Sequence, residues 1–251
     1  MLSSLRIRNA MTPVTATINR SQLLWDLKNQ KAQGYLDYWN QKQYSLIPPT
    51  LFDHNGPVWL EIGAGTGGFF SEMARLHPDC QMIAIERCRE RGKRLVNLAK
   101  RSALPNFHGF RGNAIPVVLT GIPNGSVDRI YILYPCPWPR HSQRKNRWYL
   151  HPMMVHLYRI LKPGGVLIWA SDQSFYIEEA AFVCCDRFGM QNLAQGPVGN
   201  NPFNGLSHFE GGRTKFERTF LQGGLPCFEL VVQRTESLDV LTSLEQLSHR
   251  P

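Results

Sequence analysis

Val58-Trp59-Leu60-Glu61-Ile62-Gly63-Ala64-Gly65-Thr66-Gly67-Gly68-Phe69-Phe70 is the stretch on which the fold is read. An apolar run stops at glycines and resumes with Phe69, Phe70, Met73, Ala74 and Leu76 at roughly helical spacing, which predicts strand, tight turn and helix. Glycine suits that turn because positive φ and a close approach of backbone to ligand both exclude a Cβ. The amides of the following helix point into the turn. Gly63, Gly65 and Gly68 satisfy G-x-G-x-x-G, a pattern shared with dinucleotide enzymes. Two acids shift the balance. Glu61, just before the turn, opposes a pyrophosphate but suits a ligand carrying an amino group and a sulfonium. Glu86 closes the run Met82-Ile83-Ala84-Ile85, where a carboxylate accepts both hydroxyls of a ribose; the alternative is a solvated strand end. The two together fit S-adenosylmethionine (SAM), with Gly63, Gly65 and Gly67 as its cradle.

Working outward, 251 residues with 43% hydrophobic content favour one domain with decorations over two domains. No apolar run approaches the ~18 residues of a membrane span. The excess of 28 Lys+Arg over 19 Asp+Glu, net +9, favours a polyanionic partner such as nucleic acid. The six cysteines, Cys80, Cys88, Cys136, Cys184, Cys185 and Cys227, form no C-x-x-C and no pairing with histidine at metal-ligand spacing, so reduced thiols in a cytoplasmic setting and no metal are expected. Residues 1–25 hold no acid and carry Arg6, Arg8 and Arg20. They are read as an unstructured N-terminus, solvated or facing RNA; an organellar transit peptide, or a bacterial start at Met11, is the alternative.

In chain order, Ser21 to Asn40 predicts one or two amphipathic helices broken near Gly34, closed by Pro48-Pro49. A helix is expected over 87–104, with Leu95, Leu98 and Ala99 inward and its cations solvated. A third strand lies near Phe107 to Phe110, followed by Asn113-Ala114, where a side-chain amide can meet an adenine edge or simply make a turn. Val127 to Tyr134 is a strong strand, stopped by Pro135-Cys136-Pro137-Trp138-Pro139. Three prolines in five residues exclude helix and ladder alike, which predicts a rigid loop at the sheet's ligand edge. Arg140 to Tyr149 interleaves cations with rings, as phosphate binding and base stacking require, or is a charged loop leading into a helix. His141 is read as a surface residue. A helix over 150–161, the turn Lys162-Pro163-Gly164-Gly165, a strand over 166–170 ending in Ser171-Asp172-Gln173, and a helix over 174–188 follow. A long loop over 196–212 delivers Arg213-Thr214-Lys215-Phe216-Glu217-Arg218; Phe228 to Val232 is the last strand, and Leu238 to Leu247 a weak helix.

With these motifs in order, residues 57–235 resemble the bacterial tRNA (guanine-N7)-methyltransferases. The marks are E-I-G-x-G-x-G at 61–67, P-x-P-W-P with its basic run at 135–147, L-K-P-G-G at 161–165, S-D at 171–172 and T-K-F-E at 214–217. The first and third occur in many SAM enzymes; the second and fifth are specific.

The resemblance implies a Rossmann-like class I methyltransferase: α/β, a seven-stranded, mostly parallel sheet with the last strand antiparallel and helices on both faces. With the N-terminal helical extension, which is read from periodicity and lies outside the resemblance, the chain divides into an extension (1–50), partly helical or disordered, a methyltransferase domain (51–235) and a tail (236–251). The resemblance implies methyl transfer from SAM to N7 of guanine-46 in the tRNA variable loop. Glu61, Gly63, Gly65, Gly67, Glu86, Asn113, Ala114 and Cys136 fall on positions that meet SAM, and Arg140, Asp172, Thr214, Lys215, Phe216 and Glu217 on positions that meet tRNA. Where the family has P-D-P-W-P-K, this chain has Cys136 and Arg140; its histidine falls on Gln143, and its T-D-W on Ser171-Asp172-Gln173. Guanine N7 carries an in-plane lone pair and no proton, so methyl transfer to it needs no general base. Positioning, which can recover ~7–11 kcal/mol of barrier, carries the rate. The catalytic assignment is therefore Asp172 as principal anchor, with Glu217 also available, and Cys136 as a lining residue rather than a nucleophile. A catalytically weakened tRNA-binding relative, and a SAM enzyme with a small-molecule substrate, are the competing readings. Nothing in the sequence selects between monomer and homodimer.

Overall fold

The computed structural model describes residues 47–199 and 202–235. The helices expected before residue 41 and after residue 237 lie outside the described residues. Within them the chain runs β1 (Val58–Ile62), α1 (Gly68–Leu76), β2 (Gln81–Glu86), α2 (Arg89–Arg101), β3 (Phe107–Arg111), α3 (Ala114–Pro116), β4 (Val127–Leu133), α4 (Met153–Ile160), β5 (Leu161–Ser171), α5 (Ser174–Phe188), β6 (Gln191–Pro197), α6 (Lys215–Gln222) and β7 (Phe228–Gln233).

The seven strands form one sheet in the order β3-β2-β1-β4-β5-β7-β6. The first five pair in parallel. β7 is antiparallel to both of its neighbours, as expected for its class. All of β1 and nearly all of β2 are buried on both faces, which is why they read as unbroken apolar runs rather than alternating ones. Successive residues serve opposite layers. Leu60, Ile130, Leu167 and Trp169 join one core with Tyr149, Tyr158 and Tyr176. Trp59, Tyr131 and Ile168 join the other with Phe69, Phe70 and Met73. Below α1, the side-chain amide of buried Asn106 lies 3.0 Å from the carbonyls of Ala74, His77 and Cys80, satisfying oxygens that the helix end leaves open.

Four elements depart from the reading of the residues. β6 occupies Gln191–Pro197, whose end the expected loop overlapped; it is a half-exposed edge strand with a register shift between Asn192 and Ala194, so it carries no alternating signal. α6 begins in a run read only as polar and basic. Thr214 is its N-cap and accepts from the Glu217 amide at 3.0 Å. The helix expected over 150–161 starts later, at Met153, behind 3-10 turns over His141–Asn146 and Trp148–Leu150. The K-P-G-G turn lies inside β5, with Gly164 at φ +76°.

Candidate active site

The carboxyl ends of the parallel strands align by register. Glu61 and Ile62 sit beside Ala84 and Ile85, Glu86 beside Arg111, and Leu133 beside Ala170. Sequence places Gly63–Gly67, Gly112–Asn113, Tyr134–Pro139 and Asp172 immediately beyond these ends, the edge at which open α/β sheets hold ligands.

The glycine turn crosses from β1 toward β2. The amides of Gly63 and Ala64 donate to the Ile85 carbonyl at 2.8 and 3.1 Å. Gly63, Gly65 and Gly67 have φ of +83°, +59° and +86°, so a side chain at any of them is strained. A Cβ on Gly67 would stand 2.5 Å from Leu95, so that glycine lets the turn pack on α2. A Cβ on Gly63 or Gly65 would meet nothing within 4 Å, which leaves an open cradle above the turn. Gly67 caps α1 without a side-chain bond, so the first amides of that helix remain for a ligand.

Two carboxylates flank the cradle in different states. Glu86 accepts from the Gly65 amide at 2.9 Å and the Cys88 amide at 2.6 Å, and Arg91 lies 3.4 Å away. Oε1 already takes two donors, so the remaining acceptor capacity lies on Oε2. Glu61 is buried, and among the described residues its Oε2 has no hydrogen-bond partner. Burial, reinforced by the charge of Glu86, pushes its pKa up to about 8, against a smaller opposing pull from Arg213. An orphaned buried acid beside an open glycine cradle fits a ligand that brings a cation and donors; it does not fit a pyrophosphate. Asn113 spends its Oδ1 on the Ile115 amide at 3.2 Å, capping α3, and its Nδ2 remains for a ligand; Ala114 is buried behind it.

The proline loop is held from beneath. Tyr134 and Trp138 both have positive φ, +53° and +46°. Such positions cost ~1–3 kcal/mol each and persist where surroundings enforce them. Buried Arg147 supplies part of that: it donates to the Trp138 carbonyl at 3.2 and 3.0 Å through Nε and Nη2, and pairs with Glu179 at 2.5 Å. Arg144 is likewise buried. The basic run therefore divides. Arg144 and Arg147 turn inward, while Arg140, His141 and Lys145 are exposed. Cys136 is exposed at the top of the loop.

The T-K-F-E run also divides. Lys215 and Phe216 are exposed. Phe216 lies 4.8 Å from the Tyr134 ring and stacks on Phe220 at 4.2 Å. Glu217 is fully buried, so the expectation that it stands available for a guanine edge meets a contrary geometry. Both its oxygens bind Arg213, at 3.0–3.1 Å from Nε, and Oε1 also accepts from Tyr134 at 2.6 Å. Burial alone would raise its pKa, but the hydrogen bonds and charge of Arg213 outweigh this and hold it below the usual carboxylate range. Arg213 reaches on to Glu229 of β7 at 3.2 Å, and Asn204 donates to the same carboxylate at 2.8 and 3.0 Å. Sequence reading missed this network. The signal for its helix was present, since Thr214-x-x-Glu217 has the spacing of a capping box. Asp172, at the end of β5, is half-buried and accepts from the Gln173 side chain at 2.7 Å. Burial pushes the Cys227 thiol up, and the charges of Glu217 and Asp172 add to that rise.

Among solved structures, the 16S rRNA methyltransferase KamB is similar in fold: TM-score 0.52, 16% identity, covering 74% of this chain and 91% of that one. A 16S rRNA (adenine-N1)-methyltransferase from Catenulisporales acidiphilia, solved with SAM, gives TM-score 0.51 and 15% identity, covering 77% and 94%. A bifunctional methyltransferase of Rickettsia felis is 34% identical over 138 residues, 55% of this chain but only 26% of that protein, so this chain matches about a quarter of its length. A tRNA (guanine-N7)-methyltransferase of Saccharophagus degradans is 35% identical over 150 residues, 59% of this chain and 65% of the relative. That of Alcanivorax borkumensis is 30% identical over 192 residues, 76% and 78%. The family model described as "Putative methyltransferase" matches residues 55–230. With that span covering the glycine turn, the proline loop and the T-K-F-E helix, the chain belongs to the tRNA (guanine-N7)-methyltransferase family.

Proposed function

We propose that the chain transfers a methyl group from SAM to N7 of a guanine in tRNA, guanine-46 of the variable loop, and that residues 51–235 form the unit that does so in the cytoplasm. The observation that carries the reading is the orphaned carboxyl oxygen of Glu61 beside the open glycine turn. Glu61, the Gly63–Gly67 amides, Glu86 and Asn113 are the residues that hold SAM. When bound, SAM would supply a methyl group on a positively charged sulfonium: the N7 lone pair would bond the methyl carbon as the carbon–sulfur bond breaks, its electrons leaving with a neutral thioether and no proton moving.

The chain's own groups position and exclude water. Glu61, once ionised, faces the cationic end of the ligand, and the spare acceptor site on Glu86 Oε2 takes a ribose hydroxyl, with a second reached when exposed Arg91 swings away. Phe216, exposed beside Tyr134, offers a face on which a purine stacks. Lys215, Arg140 and Lys145 meet phosphates. Asp172 accepts from the guanine edge and stabilises the positive charge that develops on the ring. Glu217 acts from inside, holding Arg213 and Tyr134 rather than touching the base. Cys136 lines the loop.

The deciding experiment incubates the purified chain with labelled SAM and unmodified tRNA, and maps the product. Label at N7 of the variable-loop guanine is expected. SAM binding with no transfer supports the weakened relative, for which Cys136 in the place of a carboxylate is the specific observation. Transfer only to small molecules overturns the RNA reading.

A further inference from the structure

We infer that the outer face of α2, remote from the guanine pocket, is a second docking surface for the tRNA backbone; this rests on the proposed RNA substrate. Between Arg87 and Arg101 lie seven cations, Arg87, Arg89, Arg91, Lys93, Arg94, Lys100 and Arg101, against one acid, Glu90. All seven are exposed. Among the described residues only two of them have a carboxylate partner: Arg91 with Glu86 at 3.4 Å and Lys93 with Glu90 at 3.8 Å.

Their placement is ordered. α2 buries Gly92 and Leu95 against β2 and β3. Arg89, Lys93 and Lys100 recur at i, i+4 and i+11, and Arg94 and Arg101 at i and i+7, so both rows run lengthwise along the solvent side. Exposed Arg111 of β3 extends the surface, its side chain lying where a Cβ on Gly92 would stand, 2.5 Å from Cγ. The helix starts at the Glu86 end of the sheet and carries its last cations about 18 Å away, at 1.5 Å per residue.

The N-terminal part of the arrangement works against the helix itself, whereas Lys100 and Arg101 sit in the last turn, where the dipole favours cations. Arg89 and Arg91 occupy the first turn, where the helix dipole favours acids and disfavours cations by ~0.3–1 kcal/mol each. Arg89–Lys93 is a like-charge pair four apart on the helix, unfavourable by a few tenths of a kcal/mol. A merely solubilising face mixes signs. A face that concentrates one sign at a cost to its own helix fits a polyanion that neutralises it. The inward turn of Arg144 and Arg147 adds to this, because the basic run after the proline loop offers fewer free cations than its sequence suggests.

The test neutralises the part of α2 farthest from the SAM residues, with Lys93→Gln, Arg94→Gln, Lys100→Gln and Arg101→Gln in one chain. Affinity for unmodified tRNA is measured from low to physiological salt beside SAM affinity and thermal unfolding. Expected are a tenfold or greater loss of tRNA affinity, a log-affinity against log-salt slope shallower by about 2–3, and unchanged SAM binding and melting. A charge-keeping variant, Lys93→Arg, Arg94→Lys, Lys100→Arg and Arg101→Lys, retains wild-type affinity. Equal tRNA affinity and slope in the neutralised chain overturn the inference even where methylation of tRNA is found. Loss of tRNA affinity in a chain that methylates no RNA sustains the surface while the proposed reaction falls. Tighter binding of the unaltered chain to anionic phospholipid vesicles than to tRNA overturns it in favour of a membrane surface.

Discussion

The phenolic hydroxyl of Tyr134 donates to Glu217 across 2.6 Å, tying the first residue after β4 to the interior of α6. Tyr134 holds φ +53° directly before Pro135-Cys136-Pro137, and its ring meets Phe216. Tyr134→Phe removes one bond to a charged acceptor while Arg213 still holds Glu217. A loss of about 2 kcal/mol in denaturant unfolding is expected, with turnover on tRNA falling more than SAM affinity. An unchanged unfolding midpoint and turnover would show that the bond does not brace the loop.

Glu61 gives a pH signature. Its folded pKa, about 8, stands above the ordinary 4.5, so the folded chain holds a proton that the unfolded chain has released between those values. Stability of the ligand-free protein is therefore full below pH 4.5 on this account and falls as pH rises toward 8, each unit of displacement being worth about 1.4 kcal/mol. Since a cationic ligand needs the carboxylate, SAM affinity rises over the same window. Glu61→Gln should flatten both profiles, raise the melting temperature at pH 8, and weaken SAM binding at that pH. Calorimetric titration from pH 6 to 9 checks this.

Arg140 and Arg147 are expected to separate. Arg147→Ala leaves Glu179 and the Trp138 carbonyl without their cation and should cost roughly 3–5 kcal/mol of stability, the range for breaking a buried pair. Arg140→Ala should leave melting unchanged and lower tRNA affinity several-fold. Paired melting curves and filter-binding isotherms read both outcomes.

These pairs show why the site was legible only in part. The strand and glycine turn were readable because Glu61, Gly63, Gly65 and Gly67 sit on one strand and one turn, where the pattern is local. The basic run was not, because whether an arginine faces RNA or core depends on partners such as Glu179, 32 residues away. Glu217 fell between the two: its helix was announced by Thr214, but its burial depends on Arg213 and on Glu229 across the sheet. β6 left no trace because an edge strand of Gln, Asn and Gly residues buries too little to show a period.

Cys136 is the one exposed thiol of six. It should react first with iodoacetamide, as tryptic mass mapping can follow, while buried Cys184, raised beyond the ordinary range by its surroundings, stays unmodified. Cys136→Ser should leave turnover within about twofold, and Cys136→Asp should raise it if a carboxylate there assists the developing charge. No gain from the aspartate would show that positioning alone suffices.

The late strand β7 threads between β5 and β6. During synthesis β6 thus emerges with no ladder to join, and Glu229, the second carboxylate on Arg213 after Glu217, is translated later than both. A nascent chain paused before Phe228 should expose an open strand edge and hold the Arg213–Glu217 pair without its Glu229 partner. The β7–β6 side of the sheet, with the Arg213 cluster beside it, is therefore the last part to set, and the part a holdase chaperone has most reason to shelter.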